Sequence, residues 1–280
     1  MDAVAKPLRL AEPLVVNWSV AISVARYIDH PLADGIAPPW ASGWGEDRYG
    51  PWVALTVGEA TQRLKWIPPG IFKMGVARGE EHHSWETVGQ REVIIETGFW
   101  IFDTPCTQAL WVQVMGGNPS GFQEGEWQQR PVERVSWEDC QEFLKRLNGR
   151  LDGLTLELPS EAQWEYACRA GTKGVRYDDD IDRIAWYDKN SGGETHAVGK
   201  LQANQWGVFD MLGNVFEWCR DRYESKGDQA TNRVIRGGSW NFDPQRVRSA
   251  YRGGYLPVIR IHYLGFRCSS SAAGELAPGQ

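Results

Sequence analysis

The chain has 280 residues, enough for one large domain or for a domain with an N-terminal extension. Its 31 Gly, 15 Pro and 15 Trp suggest a loop-rich globular protein whose irregular segments are pinned by aromatic anchors. The formal charge of -6, with Lys and Arg dispersed rather than gathered in a stripe, argues against nucleic acid as a partner.

Along the chain, Leu14 to Ala25 is apolar but interrupted by Asn17 and Ser19. It is too short to span a bilayer, and Asp2 weakens the basic flank of a signal peptide, so a cytoplasmic protein is the default expectation. Display outside the cell by a partner stays open. Up to about Glu59, Pro38-Pro39, Gly43-Trp44-Gly45 and Gly50-Pro51 indicate short strands and turns without a helical period. Leu64 to Gly75, alternating around Pro68-Pro69-Gly70, reads as a strand and hairpin that opens the main domain. The expected division is an extension packed on the main domain over 1–63, the domain over 64–272 and a flexible tail over 273–280.

Three helices follow. A short one is expected over Gln108 to Met115, stopping at Gly116. Ser136 and Asp139 resemble a capping box, and Cys140, Phe143, Leu144 and Leu147 share one face, which predicts a helix over Trp137 to Leu147. Ser160 with Gln163 repeats the device for a helix over Glu161 to Arg169, closed by Gly171 in the left-handed conformation. Beyond it, strand-like runs are visible at Trp206 to Met211, Arg233 to Trp240 and Leu264 to Cys268. The pattern is α+β, with two main helices and small, heavily looped antiparallel sheets. The odd set of Cys106, Cys140, Cys168, Cys219 and Cys268, with no C-x-x-C, reads as buried thiols or at most one bridge.

Six strings stand in fixed order: Trp66-Ile-Pro-Pro-Gly-Ile-Phe-Lys-Met-Gly75, Pro131-Val-Glu-Arg-Val-Ser-Trp137, Leu158-Pro-Ser-Glu-Ala-Gln-Trp-Glu-Tyr-Ala167, Gly207 to Trp218, Arg236-Gly-Gly-Ser-Trp240 and Leu264-Gly-Phe-Arg267. Together they resemble the formylglycine-generating-enzyme, or sulfatase-modifying-factor, family, and the resemblance implies a C-type-lectin-type fold. Members that oxidise a substrate cysteine use two cysteines after the Gly-Gly-Ser string, whose thiolates bind copper. Those positions fall here at Phe242 and Val247, so the resemblance implies a non-enzymatic member with no catalytic cofactor. Related non-haem iron sulfoxide synthases need a facial set of nitrogen or carboxylate ligands. His30, His82, His83, His196 and His262 do not suggest one and read as surface or loop histidines. The family's structural calcium would map onto the side chains of Asp210 and Glu217 and the carbonyls of Gly213 and Val215. Calcium is the favoured reading over the plainer one, in which Asp210 and Asn214 form Asx turns and Glu217 takes a salt bridge.

The stretch Arg233 to Arg267 looks like the variable region of a diversity-generating-retroelement variable protein, in which asparagines sit between Gly-Gly-Ser-Trp, Arg-Ser-Ala and Gly-Phe-Arg. Adenine-directed mutagenesis of a pyrimidine-ending Asn codon never yields Lys, Glu, Gln, Met or Trp. Phe242, Asp243, Arg246, Tyr251, Gly253, Gly254, Tyr255, Leu256, Ile259, Ile261, His262 and Tyr263 all lie in the reachable set. Val258 stands where the pattern has Asp, whose codon also reaches Val. Gln245 and Arg248 belong to the unvaried frame. Clustered aromatic and aliphatic groups of this kind suit a binding hot spot, because rigid rings bury area at low entropic cost. The resulting expectation is a non-catalytic protein binding an unknown protein or cell-surface ligand through these thirteen positions, the alternatives being a formylglycine-generating or related oxidase and an inert structural member of the family.

Overall fold

The computed structural model describes residues 30–77, 80, 89–223 and 231–271. Leu14 to Ala25, His82, His83 and the tail over 273–280 lie outside them. Side-chain alternation builds the first sheet. β1 (Gly43–Asp47), β2 (Gly50–Val57) and β3 (Ala60–Ile67) form an antiparallel meander with two-residue turns at Arg48-Tyr49 and Gly58-Glu59. At the second turn, φ of Gly58 is 58°, and a Cβ there would displace the end of the Gln113 side chain, so the left-handed turn favours glycine. β3 also pairs with β6 (Phe99–Phe102), and β6 with β13 (Ser269–Ser271), giving the order β1-β2-β3-β6-β13.

The 63/64 boundary expected from sequence therefore falls inside β3, and residues 43–63 supply two full strands and half of a third to this sheet. The expected hairpin across Pro68-Pro69-Gly70 does not form. β4 (Gly70–Met74) leaves the sheet and pairs with β5 (Arg91–Ile95) in a separate ribbon. Two consecutive prolines remove the donors that would continue the ladder there.

The three helices occupy the expected positions: α1 (Gln108–Met115), α2 (Trp137–Asn148) and α3 (Glu161–Arg169). Both capping boxes are complete, Ser136 with Asp139 and Ser160 with Gln163, and Gly116 closes α1 at φ 87°. At α3 the expected left-handed Gly171 is present (φ 87°), but the chain already turns left-handed one residue earlier, at the cap Ala170 (φ 44°). The local bond from the Ala170 N–H to Tyr166 O sets this end, and the non-glycine cap is tolerated at a strain cost.

A second sheet has the order β11-β10-β9-β12, from β9 (Phe216–Arg222), β10 (Arg233–Arg236), β11 (Arg252–Tyr255) and β12 (Leu264–Gly265), the last parallel to β9. A short parallel pair, β7 (Ala185–Trp186) with β8 (Leu212–Gly213), completes the set, so the sheets are not uniformly antiparallel. Trp206 to Met211 is not a strand, whereas Phe216–Arg222, read from sequence only as part of a loop, is the longest strand of the second sheet.

Period-two alternation splits the interior in two. On β6, Trp100 and Phe102 enter one core with Leu55, Phe143 and Phe266, while Phe99 and Ile101 enter another with Ile67, Trp164 and Val247. In the first, the Phe143 ring stacks on Trp111 at 5.3 Å and meets Phe266 edge-on at 5.2 Å. Such pairs add about 0.5–1.5 kcal/mol each beyond the area they bury. The C-terminal stretch contributes to both, with Ile235, Tyr251, Leu264 and Phe266 in the first core and Val234 and Val247 in the second.

Candidate ligand-binding face

The segment from Phe242 to Tyr263 is held by its main chain. Arg236, wholly buried, donates from Nη1 to Ala250 O (2.9 Å) and Tyr251 O (2.6 Å) and from Nη2 to Ser249 O (2.9 Å). Its other anchor is the Glu165 carboxylate, itself fixed by Arg169 at 2.8 Å. Arg176 donates to the carbonyls of Val247 and Pro244. Farther along, the N–H groups of Glu138 and Arg134 donate to Pro257 O and Ile261 O, Trp240 Nε1 to His262 O and the Phe216 N–H to Tyr263 O. Each of these acceptors is a carbonyl, which every amino acid carries, so the bonds survive a change of the side chain on the same residue. The backbone turn before the segment is equally constrained, since a Cβ on Gly238 would lie 2.8 Å from Val247 Cγ2 at a φ of 75°.

The side chains then gather into one aromatic cluster. Phe242 meets Phe216 at 5.0 Å and Tyr263 at 5.2 Å, both edge-on, and Arg246 lies over the Phe242 ring at 5.0 Å. The hydroxyls of Tyr255 and Tyr263 share a hydrogen bond of 2.9 Å, and burial, aided by Tyr255, pushes the Tyr263 hydroxyl well above the ordinary tyrosine range. His262 packs on Trp240, and Trp240 on Phe122. Ile261 is half-buried against the first core, and Asp243 and Arg246 flank the cluster as a loose 3.8 Å pair. A turn closed by the Ile259 N–H on Leu256 O presents Leu256 (48 % exposed) and Val258 (52 % exposed) to solvent.

Two of the thirteen positions depart from the expected surface. Tyr251 is only 8 % exposed and packs on Phe216 as part of the first core. Gly254 points to the opposite side of β11 from Tyr255, where a Cβ would lie 2.4 Å from Tyr223 Cγ. Gly253, on the cluster side, would place its Cβ 3.2 Å from Ile235 Cγ1. Sequence reasoning missed Phe216 and Phe122 as the floor of the cluster. Phe216 was absorbed into the string around Asn214, and Phe122 stands in a loop whose only signal is the turn chemistry of Asn118 to Gly121.

Residues 56–272 match the family described as "Sulfatase-modifying factor enzyme 1-like domain". The chain belongs to that family. The solved structure of Treponema denticola variable protein 1 superposes on 79% of this chain and 99% of its own, with a TM-score of 0.71 and 27% identity. Chaperone protein LppX of Paenibacillus barcinonensis is 30% identical over 209 residues, covering 55% of this chain and 74% of its own. Inactive C-alpha-formylglycine-generating enzyme 2 of Mus musculus is 32% identical over 188 residues, 60% of this chain and 57% of its own length. The α+β, C-type-lectin-like architecture is that of the sulfatase-modifying-factor family.

Where the resemblance places a copper-binding pair in this family, Phe242 is part of the aromatic cluster and Val247 is fully buried in the second core. All five cysteines are buried and unpaired. Burial raises every one of their thiols, Cys168 to about 12, far from the thiolate form that sulfur chemistry requires.

The donors expected to hold calcium do not fit that ion as arranged. Both oxygens of Glu217 accept from Arg267 at 2.7 Å, and Oε2 also accepts Trp164 Nε1 at 2.7 Å, so a buried guanidinium already neutralises this carboxylate. Asp210 Oδ2 accepts the Gly199 N–H at 2.7 Å; Oδ1 alone is buried without a partner, and burial raises this carboxyl to about 6. With Glu217 engaged, the expected set is left with Asp210 Oδ1 and the carbonyls of Gly213 and Val215, less negative charge than calcium selects. Among the described residues no group of three His, Cys, Asp or Glu converges for any metal, and His196 instead stacks on Trp186 at 3.9 Å. No helix among those residues is long and apolar enough to cross a membrane.

Proposed function

We propose that this member of the family is a non-catalytic binding protein, whose ligand-contacting face is the aromatic cluster with its Leu256–Ile259 tip and whose side chains are diversified by a retroelement. The observation that carries the reading is that the segment is held through main-chain carbonyls and through the side chains of Arg248, Arg252 and Arg260, all outside the thirteen positions. Arg236, Arg176 and Trp240, which lie outside the thirteen positions, fix its backbone through main-chain carbonyls, although the Trp240 ring also packs on the varying side chain of His262. The face is also chemically suited to binding: Phe242, Tyr255, Tyr263 and His262 are rigid, half-buried rings, and Leu256 and Val258 project beyond them. The name of the Treponema denticola variable protein and the description of the mouse relative as inactive support the same reading for this chain. The ligand proposed is a protein or a cell-surface molecule.

The test is to sequence the DNA downstream of the gene. A near-copy of the stretch encoding Arg233 to Cys268, differing only at adenines and accompanied by a reverse transcriptase, is the expected result. A locus without such a copy overturns the diversification. The enzymatic alternative, an oxidase using copper, predicts stoichiometric, thiol-dependent copper binding; the buried thiols predict that none of the five reacts with a thiol reagent unless the protein is unfolded.

A further inference from the structure

A cavity of about 480 Å³ opens between the β4–β5 ribbon, α3 and the β10–β11 pair, on the side of β11 opposite Tyr255. Among the described residues three guanidinium groups, of Arg91, Arg236 and Arg252, line it against two carboxylates, Glu161 and Glu165, and Arg169 pairs with Glu165 as well, so these groups carry an excess of positive charge. The acceptors are already used. Glu161 takes Arg252 in a two-pronged pair at 2.6 and 2.9 Å, and Glu165 takes the Gly75 N–H, Arg169 and Arg236. The donors are not. Arg236 Nε is buried with no hydrogen-bond partner among the described residues, and Arg91 engages there only the Met74 sulfur, at 3.6 Å. A buried donor on a fixed cation is costly to leave unmatched. We propose that this cavity is a carboxylate-binding pocket that takes a ligand carrying a short apolar chain.

Charge and lining together select the class. The excess of positive charge favours an anion, and the apolar wall favours one that carries carbon over inorganic phosphate. Arg91 can meet a planar carboxylate with parallel N–H···O bonds, and Arg236, whose Nη donors are all engaged, has only its Nε–H left to add. Met74, Val76 and Ala250 supply an apolar wall for the carbon chain. Because the pocket shares none of the thirteen face positions, it stands independently of the binding face proposed above.

The experiment is a titration of the full chain with isovalerate, followed by the arginine Nε–Hε resonances, with inorganic phosphate at matched ionic strength as the comparison. One-site saturation by isovalerate is expected at millimolar concentrations, with phosphate weaker. Arg91→Gln, at an exposed position, weakens isovalerate by about tenfold without moving the melting temperature. Lys73→Gln, which removes a charge from the same ribbon outside the cavity, leaves the affinity unchanged. Absence of saturation, tighter binding of phosphate, or equal effects of the two variants overturns the pocket.

Discussion

At the scale of single residues, the face divides into side chains that touch only their neighbours on the surface and positions that the interior constrains. Leu256 and Val258 are about half exposed, so Leu256→Ser and Val258→Ser each change unfolding free energy in urea by no more than about 0.5 kcal/mol. Gly254 behaves oppositely despite its equivalent place in the codon pattern. Gly254→Asn drives a Cβ into the base of the Tyr223 ring and costs about 1–3 kcal/mol in the same measurement, more than Gly253→Asn. Arg236→Leu leaves the buried Glu165 carboxylate short of a partner and releases three carbonyls of the segment, with an expected loss of about 3–5 kcal/mol. Where calcium is concerned, the Glu217–Arg267 pair predicts that adding the ion or a chelator leaves the melting temperature unchanged.

At the scale of elements, Asp139 couples a helix to the face. Its Oδ2 accepts the Ser136 N–H in the capping box of α2 and also Arg260 Nε at 2.6 Å, with Arg260 Nη2 on Oδ1 at 2.7 Å. Those interactions, Arg260 foremost, hold its carboxyl below the usual range against the effect of burial. Arg260→Ala is therefore expected to cost under about 1 kcal/mol, as for other exposed ion pairs, while raising amide exchange in 256–261. The helices themselves were readable because a capping side chain and a 3.6-residue stripe are local signals, as at Ser136 with Cys140, Phe143, Leu144 and Leu147. The second sheet was not. Phe216–Arg222 is buried on both faces at its start and has no alternation to betray it, and its partners β10 and β12 are set by long-range register alone. Of the face, the codon pattern identified which residues stand together in sequence, but not that Tyr251 turns inward or that Gly254 faces Tyr223, since both depend on the side of β11 that the fold buries.

At the scale of the whole molecule, buried carboxylates link stability to pH. Burial is the largest influence on Asp103 and raises it to about 7, against the pull of Arg63, Arg267 and Lys65. The native state thus holds a proton that the unfolded chain, near 3.8, has released, so stability is greatest below about pH 4 for this group and falls as pH rises towards 7. Asp103→Asn flattens that dependence, by at most about 4 kcal/mol across the window, in unfolding curves taken at several pH values. The broader architecture follows from two cores separated by β6 and β9, with the C-terminal stretch contributing to both and suspended by its carbonyls and by Arg248, Arg252 and Arg260. The most direct test of that suspension is thermal unfolding of a single variant in which Asp243, Arg246, Leu256, Val258, Ile259 and His262 are all replaced by Asn. A cooperative transition within about 5 °C of the parent is the predicted result. Loss of cooperativity, or a fall of tens of degrees, would mean that these side chains hold the fold together and would contradict the account.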